Sequence, residues 1–318
     1  MADNQNHIDE DVSTLIQKLK DKYEENSQDF KAYLEGLVYQ EYTSYWDYIM
    51  VDTLLSLQKP KTNIPDEEIF IMYHQITELY FKLTLHEIKQ LALKKGKLTP
   101  DFFAARVKRM NAYFRNLTNS FEIMVDGMEK EQFLKFRMSL LPASGFQSAQ
   151  YRMIEICCAD FHRLVDKDHR DKYTAESSIE DMFEFIYWKH GATEIGTGKK
   201  TLTLTQFETK YADKLIRLAN EFRHKNLTAL FESLSDEDKQ HAGLREQLRK
   251  LDQNVNVNWP LVHYKSAVKY LQKQPSDVAA TGGTNWQKYL PPRFQVRVFF
   301  PQLWSEQEIQ EWGKSAFE

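Results

Sequence analysis

The chain has 318 residues, 42% of them hydrophobic, enough for a sizeable core in one large or two ordinary domains. A net charge of −4 offers no basic field for nucleic acid or an anionic membrane, and no stretch approaches the roughly 20 apolar residues of a membrane span. Nine prolines and eleven glycines leave long periodic segments uninterrupted, which predicts an all-α fold.

The first fifteen residues are polar and acidic, without the basic start and apolar run of a signal peptide, so a cytoplasmic location is expected. Val12 to Tyr23 reads as a short amphipathic helix, with Leu15 and Leu19 at i and i+4. From Lys31 to Leu57 aromatic residues crowd together (Tyr39, Tyr42, Tyr45, Trp46, Tyr48), a composition that suits a helix packing them into a core or an oligomer seam. Gln58 to Pro65 is a break, and Asp66, Glu67 and Glu68 supply an acidic first turn to a helix over Ile69 to Leu93. The first half of that helix is apolar on nearly all sides, so it should be central and mostly buried. His74 lies in that half, one turn after Phe70; a lone buried histidine is more often a hydrogen-bonded core residue than a functional one.

Further helices are predicted over Pro100 to Met128, Glu131 to Leu141 and Phe146 to Val165. Phe133, Arg137 and Leu140 fall at i, i+4 and i+7 and share one face. A guanidinium on an apolar face needs an anion. An internal Asp or Glu is the usual partner in a helical bundle; the carboxylate of a ligand is the alternative. Pro142 ends this helix, and Ala143, Ser144 and Gly145 let backbone approach a ligand closely. Cys157 and Cys158 are neighbours that point to different helix faces, cannot form an unstrained disulfide, and read as small core residues.

Ile179 to Trp188 looks helical. The loop that follows has Gly191 and Gly196 at phosphate-loop spacing, but Thr197 stands where the lysine belongs and no buried strand precedes it. Phe207 to Leu234 and Asp236 to Leu251 are amphipathic. Glu221 and His224 form one Glu-x-x-His unit, whereas a di-iron site wants two and further glutamates. Trp259 to Leu271 starts a helix with Pro260 in its first turn, and His263 lies one turn after Trp259. Ala279 to Thr284 is a turn with hydroxyls and free N–H groups, Tyr289 to Trp304 reads faintly as extended, and Glu306 to Trp312 as a short helix. No repeat interrupts the chain, so residues 1–318 are expected to form a single domain. His74 and His263 have no metal-ligand companions at i+3 or i+4, so a four-ligand metal site is poorly supplied; a haem needs only one histidine and leaves the other to line the distal pocket.

Several segments together resemble the tryptophan 2,3-dioxygenase family. They are Phe70-Ile-Met-Tyr-His74-Gln-Ile-Thr-Glu78-Leu-Tyr-Phe81-Lys82, Phe136-Arg137 with Pro142-Ala-Ser-Gly-Phe-Gln-Ser148, Trp259-x-x-x-His263, Thr281-Gly-Gly283, and Tyr45-x-x-Tyr48-Ile49 with Asp52-Thr-Leu-Leu55. The resemblance runs in order from about residue 40 to 290. It implies an all-α bundle enclosing haem b, with His263 as the axial iron ligand and Trp259 beside it. His74 would be the distal, catalytic histidine near the indole N–H, and Phe70, Phe133 and Leu140 would wall the indole. Arg137 would bind the substrate carboxylate, Thr281 would meet the amino-acid head group, and Ser144 and Gly145 would lie over the haem. Tyr45, Tyr48 and Ile49, in a segment of about residues 1–58, would reach in from a neighbouring subunit of a homotetramer built as a dimer of dimers.

The activity implied is conversion of L-tryptophan and O2 to N-formyl-L-kynurenine, the first step of the kynurenine pathway, with ferrous haem in the active form. The sequence departs from the family at Ala280-Thr-Gly-Gly-Thr284-Asn285-Trp286, where the substrate lid belongs, and at Trp46, which stands where the family often has glycine. A related haem oxygenase acting on a modified indole or another aromatic amino acid, inserting one oxygen atom, is the alternative.

Overall fold

The computed structural model describes residues 9–140, 143–194, 197–271 and 291–314, without the side chains of His190 and Leu271. Pro142, Gly196, Thr281 and the whole 281–286 segment therefore lie outside the described residues. The chain divides into two compact units, Met1–Leu57 and Gln58–Glu318.

The first unit is a helical hairpin, α1 (Glu10–Glu24) and α2 (Phe30–Tyr39), followed by single turns at Tyr45–Tyr48 and Val51–Leu54. Asp9 and Asp29 cap the two helices by accepting from Asp11 and Lys31 backbone N–H groups. The hairpin closes through the rings of Tyr23 and Tyr33, 4.3 Å apart. None of the described residues of this unit is buried. The aromatic run does not form one helix packed into a core: Tyr39, Tyr42, Tyr45 and Tyr48 are all exposed.

In the second unit α3 (Asp66–Ala92) packs against α4 (Pro100–Ser120), α5 (Lys130–Phe136) and α6 (Ala149–Cys158); α7 (Leu202–Phe222) covers α6, and α8 (Ala242–Gln253) lies along α4. A wide turn at Asn254–Asn258 leads from α8 into α9 (Trp259–Leu271). The helix α4 shows why the core forms. Thr99 caps its N-terminus with Pro100 in the first turn, and Phe103, Val107, Met110, Phe114 and Leu117, at i, i+4, i+7, i+11 and i+14, are all fully buried. The α8 stripe of Leu244, Leu248 and Leu251 meets it. Asn111 joins the two helices by donating to the Gln247 carbonyl and side chain, at 2.9 and 3.1 Å.

Several helices end earlier than the periodicity predicts: the one expected over Phe207 to Leu234 stops at Phe222, and that over Ile179 to Trp188 stops at Glu184. The helix from Pro100 breaks at Phe121, and the turn Glu122–Val125 follows. Gly127 closes this turn, since a Cβ there would sit 2.6 Å from the Ile123 carbonyl oxygen. Tyr270 of α9 completes it by donating to the carbonyls of Met124, Val125 and Met128. The helix carrying Phe133 tightens to a 3₁₀ turn at Arg137–Leu140, ahead of Pro142, which disfavours α geometry in the residue before it. The α6 helix runs only from its Ser148 cap to Cys158, with 3₁₀ turns on either side. Both cysteines are free and buried.

No strand occurs among the described residues; two isolated bridges, Val165 with Ile186 and Thr193 with Lys200, are the extended pairings seen. The tail that reads as extended is a turn at Pro292–Gln295 followed by irregular chain. Its amides find a side chain instead of a partner strand: Phe299 and Phe300 donate to the Asp252 carboxylate at 2.8 and 3.0 Å. No helix among the described residues is long and apolar enough to cross a membrane.

Candidate active site

Helices α3, α5 and α9 bring five of the predicted site residues, Phe70, His74, Phe133, Trp259 and His263, into one aromatic cluster of the second unit. The start of α3 is tied to the start of α5 by two hydrogen bonds: Glu129 N–H donates to Asp66 Oδ2 at 2.6 Å, and Asp66 N–H donates to Gln132 Oε1. This sets Phe70 beside Phe133 and Phe136, with ring centroids 6.2 and 5.7 Å apart. His74 follows one turn later, its ring 4.1 Å from that of Phe70. From the other side α9 presents Trp259 and His263, rings 4.6 Å apart and nearly perpendicular. Phe121, at the break after α4, lies between: its ring is 5.7 Å from Tyr73, 5.4 Å from Trp259 and 4.6 Å from His263. Tyr270, two turns beyond His263, reaches Phe133 at 4.7 Å and closes the ring of contacts.

The two imidazoles have distinct states. Nδ1 of His74 lies 2.7 Å from the Phe70 carbonyl oxygen, and because a carbonyl only accepts, Nδ1 carries the proton. Burial lowers the pKa of His74, so the ring is neutral and Nε2 keeps a free lone pair. For His263, burial first, then the neighbouring His74 ring and the charge of Arg152, push the pKa down to about 3. Its side chain nevertheless keeps some accessible surface. A neutral imidazole that has lost most of its hydration yet still borders open space is suited to coordinate a metal.

Arg137 is 4% exposed, and burial lowers its pKa. It leaves the end of α5 next to Phe136, which is wholly inside. Leu140 is half-buried, as is Ser144, whose N–H donates to Gln147 Oε1 in a capping box; Gly145 is exposed, with no atom within 4 Å of where its Cβ would be. Phe146 roots this loop, its ring 6.4 Å from Trp188 and 5.7 Å from Phe207. Tyr45, Tyr48 and Ile49 belong to the first unit, where all three are exposed.

Two features of the site go beyond the sequence reading. One is Phe121, whose contact with His263 arises from the break in a helix that periodicity extends through it. The other is a buried charge cluster. Arg152 donates to Glu155 and to the Tyr187 hydroxyl at 2.7 and 2.6 Å, Arg297 donates to the same two groups, and Tyr187 donates to Glu155. Two guanidiniums share one carboxylate, so the cluster carries one positive charge in excess, and Arg152 is close enough to act on His263. Such a charge suits an anionic group of a cofactor. Arg152 closes the segment that begins at Pro142, and that position is its only signal in the sequence.

Among the described residues no three His, Cys, Asp or Glu side chains gather as a metal cluster. A haem needs only one protein ligand, and His263, neutral and set among aromatic rings, could serve as it.

Comparison with known proteins points the same way. The family described as Tryptophan 2,3-dioxygenase matches residues 36–257. A protein of that name from Bacillus anthracis is 40% identical over 282 residues, covering 84% of this chain and 92% of its own length. Proteins of the same name from Bradyrhizobium diazoefficiens and from Bacillus thuringiensis subsp. konkukian are 32% and 29% identical, each again covering 84% of this chain and 92% of the relative.

Proposed function

We propose a specific reaction for this chain, which belongs to the tryptophan 2,3-dioxygenase family and is an oxygenase: it converts L-tryptophan and O2 to N-formyl-L-kynurenine, the entry step of the kynurenine pathway. What supports the reading is the aromatic cluster that gathers Phe70, His74, Phe133, Trp259 and His263, with Arg137 buried next in sequence to Phe136. His263, with Trp259 packed beside it, would hold haem b, which would supply the O2 chemistry. In this reading Ser144 and Gly145 would lie over the haem, and the surplus charge at Arg152 would suit a carboxylate of the cofactor.

The protein's own part is mainly positioning. Arg137 takes the substrate carboxylate in a two-pronged ion pair, assisted by Thr281 at the amino-acid head group. Phe70, Phe133 and Leu140 enclose the indole. Because the Nδ1 proton of His74 is committed to Phe70, its Nε2 is the acceptor for the indole N–H. Two anchors at opposite ends of the substrate fix the ring plane, and such orientation contributes several kcal/mol, on the order of what preorganised reactions gain. His74 is thus the catalytic residue as a hydrogen-bonding and shaping group; the hard chemistry belongs to the cofactor.

The exposed aromatics of the first unit support the remaining part of the proposal. Tyr45, Tyr48 and Ile49 complete the pocket of a neighbouring subunit in a cytoplasmic homotetramer, a dimer of dimers. The reading is tested by loading the protein with haem under reducing conditions and following L-tryptophan and O2 together: consumption in equal amounts is expected, and O2 uptake without loss of tryptophan would refute it.

A further inference from the structure

The helix that carries His263 is not a regular α-helix, and we infer that its irregularity is a register device: the wide turn Asn254–Asn258, clamped by Tyr151, decides which face of α9 turns inward, so Tyr151 is a positioning residue for the candidate axial ligand. The inference rests on the reading of His263 as that ligand.

The spacing shows the need for the device. Leu244, Leu248, Leu251 and Val255 form one stripe with no exposed surface. Eighteen residues make about five α turns. In an unbroken helix Val262 would therefore repeat the face of Leu244, and His263 would point about 100° away from it. The turn Asn254–Asn258 is a π turn, with Trp259 N–H donating to Asn254 O, five residues back. It absorbs one extra residue, and His263 comes round to the side of α4, where Phe121 meets its ring at 4.6 Å.

Pro260 explains why the widening occurs here. In a regular helix its ring would clash with the carbonyl four residues back, that of Asn256, and a wider turn relieves the clash. The wider turn has its own cost. The Val255 carbonyl would accept from residue 260, and proline has no N–H to give. Tyr151 fills this gap: its hydroxyl donates to Val255 O at 2.9 Å. Its ring lies 5.5 Å from Phe81, with the Arg152 guanidinium 5.0 Å from its centroid. The asparagines of the turn are tied as well, Asn254 to Asn111 at 3.0 Å, Asn258 to Asn254 at 3.0 Å and Asn256 to Asp252 at 2.8 Å. Since Tyr151 stands in the first turn of α6, directly after Ser144 to Ser148, one hydroxyl couples that loop to the His263 helix.

The test compares Tyr151→Phe with Thr228→Val. Thr228 is a buried hydroxyl that bonds the carbonyls of Cys158 and Phe299, away from the turn, so its loss controls for removal of a buried hydrogen bond in general. The readouts are haem affinity and the iron–histidine stretching band of the reduced haem-loaded protein. Tyr151→Phe is expected to shift or broaden that band and weaken haem binding roughly fivefold to tenfold, while Thr228→Val keeps the wild-type band. An unchanged band and affinity in Tyr151→Phe, or equal shifts in both variants, would overturn the inference.

A register pair gives a second check. Excising Asn258 together with Pro260→Ala restores eighteen residues from Leu244 to His263 and should retain the band, whereas inserting one alanine after Val255 should abolish it; the reverse order contradicts the register argument. If wild type shows no such band, or His263→Ala keeps it, the ligand assignment itself fails and the inference falls with it, a result distinct from the others.

Discussion

His74 turns Nδ1 toward the carbonyl oxygen of Phe70, 2.7 Å away and one turn earlier on the same helix. That single bond settles the tautomer and leaves Nε2 as the only nitrogen able to accept from a ligand. Removing the ring should therefore cost an interaction with substrate and leave the cofactor side alone. His74→Ala is expected to bind haem as wild type does and to turn over roughly tenfold more slowly, the size of one hydrogen bond. Haem absorption and steady-state rates measured together check this; loss of haem in the variant would place His74 on the wrong side of the site.

Arg137 should act on one end of the substrate only. Arg137→Leu is expected to keep haem and to weaken L-tryptophan binding by at least about 1.5 to 3 kcal/mol, the range for a charged hydrogen bond. Equilibrium titration with tryptamine, which lacks the carboxylate, supplies the control. Tryptamine affinity should be the same in wild type and variant, and an equal loss for both ligands would mean that the guanidinium serves the fold.

His263 carries the cofactor in this account, so His263→Ala should lose most haem affinity while far-UV circular dichroism reports unchanged helicity. The aromatic contacts of Trp259 with Phe81 and Phe121, at 5.8 and 5.4 Å, hold α9 in place without the imidazole. Haem titration of the two proteins decides the matter.

Asp252 gives a pH prediction independent of the cofactor. Its carboxylate is fully buried and accepts from Phe299, Phe300, Asn256 and Trp304. Burial raises its pKa to about 6 in spite of these donors, from the ordinary 3.8. Between those values the folded chain holds a proton that the unfolded chain releases. The stabilisation from this group is thus complete below about pH 4 and is lost as pH rises through 6, roughly 3 kcal/mol across the window. Unfolding free energies of wild type and Asp252→Asn, measured from pH 4 to 7, isolate it: the wild-type advantage should shrink with rising pH. An advantage that grows would mean that the four donors hold the carboxylate ionised.

Much of the fold was legible in the sequence because apolar periodicity reports which face is inside. The stripe of α4 follows from it directly, whereas α3, apolar on nearly all sides in its first half and so expected to be mostly buried, leaves Met72, Ile76, Leu79 and Leu83 exposed. Helix ends were less legible, since they depend on groups distant in sequence. The break at Phe121 is secured by Tyr270, and the irregular tail by Asp252, neither of which a local window contains. The candidate site divides the same way. Phe133 and Arg137 are neighbours on one short segment and were found by spacing, although the 3₁₀ turn at Arg137 means that a single α-helical face does not extend to Leu140. His74 and His263 had only context to mark them, and their approach depends on a π turn that a regular 3.6-residue period conceals. Tyr45, Tyr48 and Ile49 stand out for the opposite reason: the aromatic run around them suits a core or an oligomer seam, and within the single chain it is exposed.

The central claim is that this site adds both atoms of one O2 molecule to L-tryptophan. The direct measurement is the mass of the product formed by the haem-loaded, reduced protein from L-tryptophan and isotopically labelled O2. Two labelled oxygen atoms in a product with the mass of N-formylkynurenine is the expected result. A product carrying one labelled atom, or unreacted tryptophan beside turnover of a substituted indole, would contradict it.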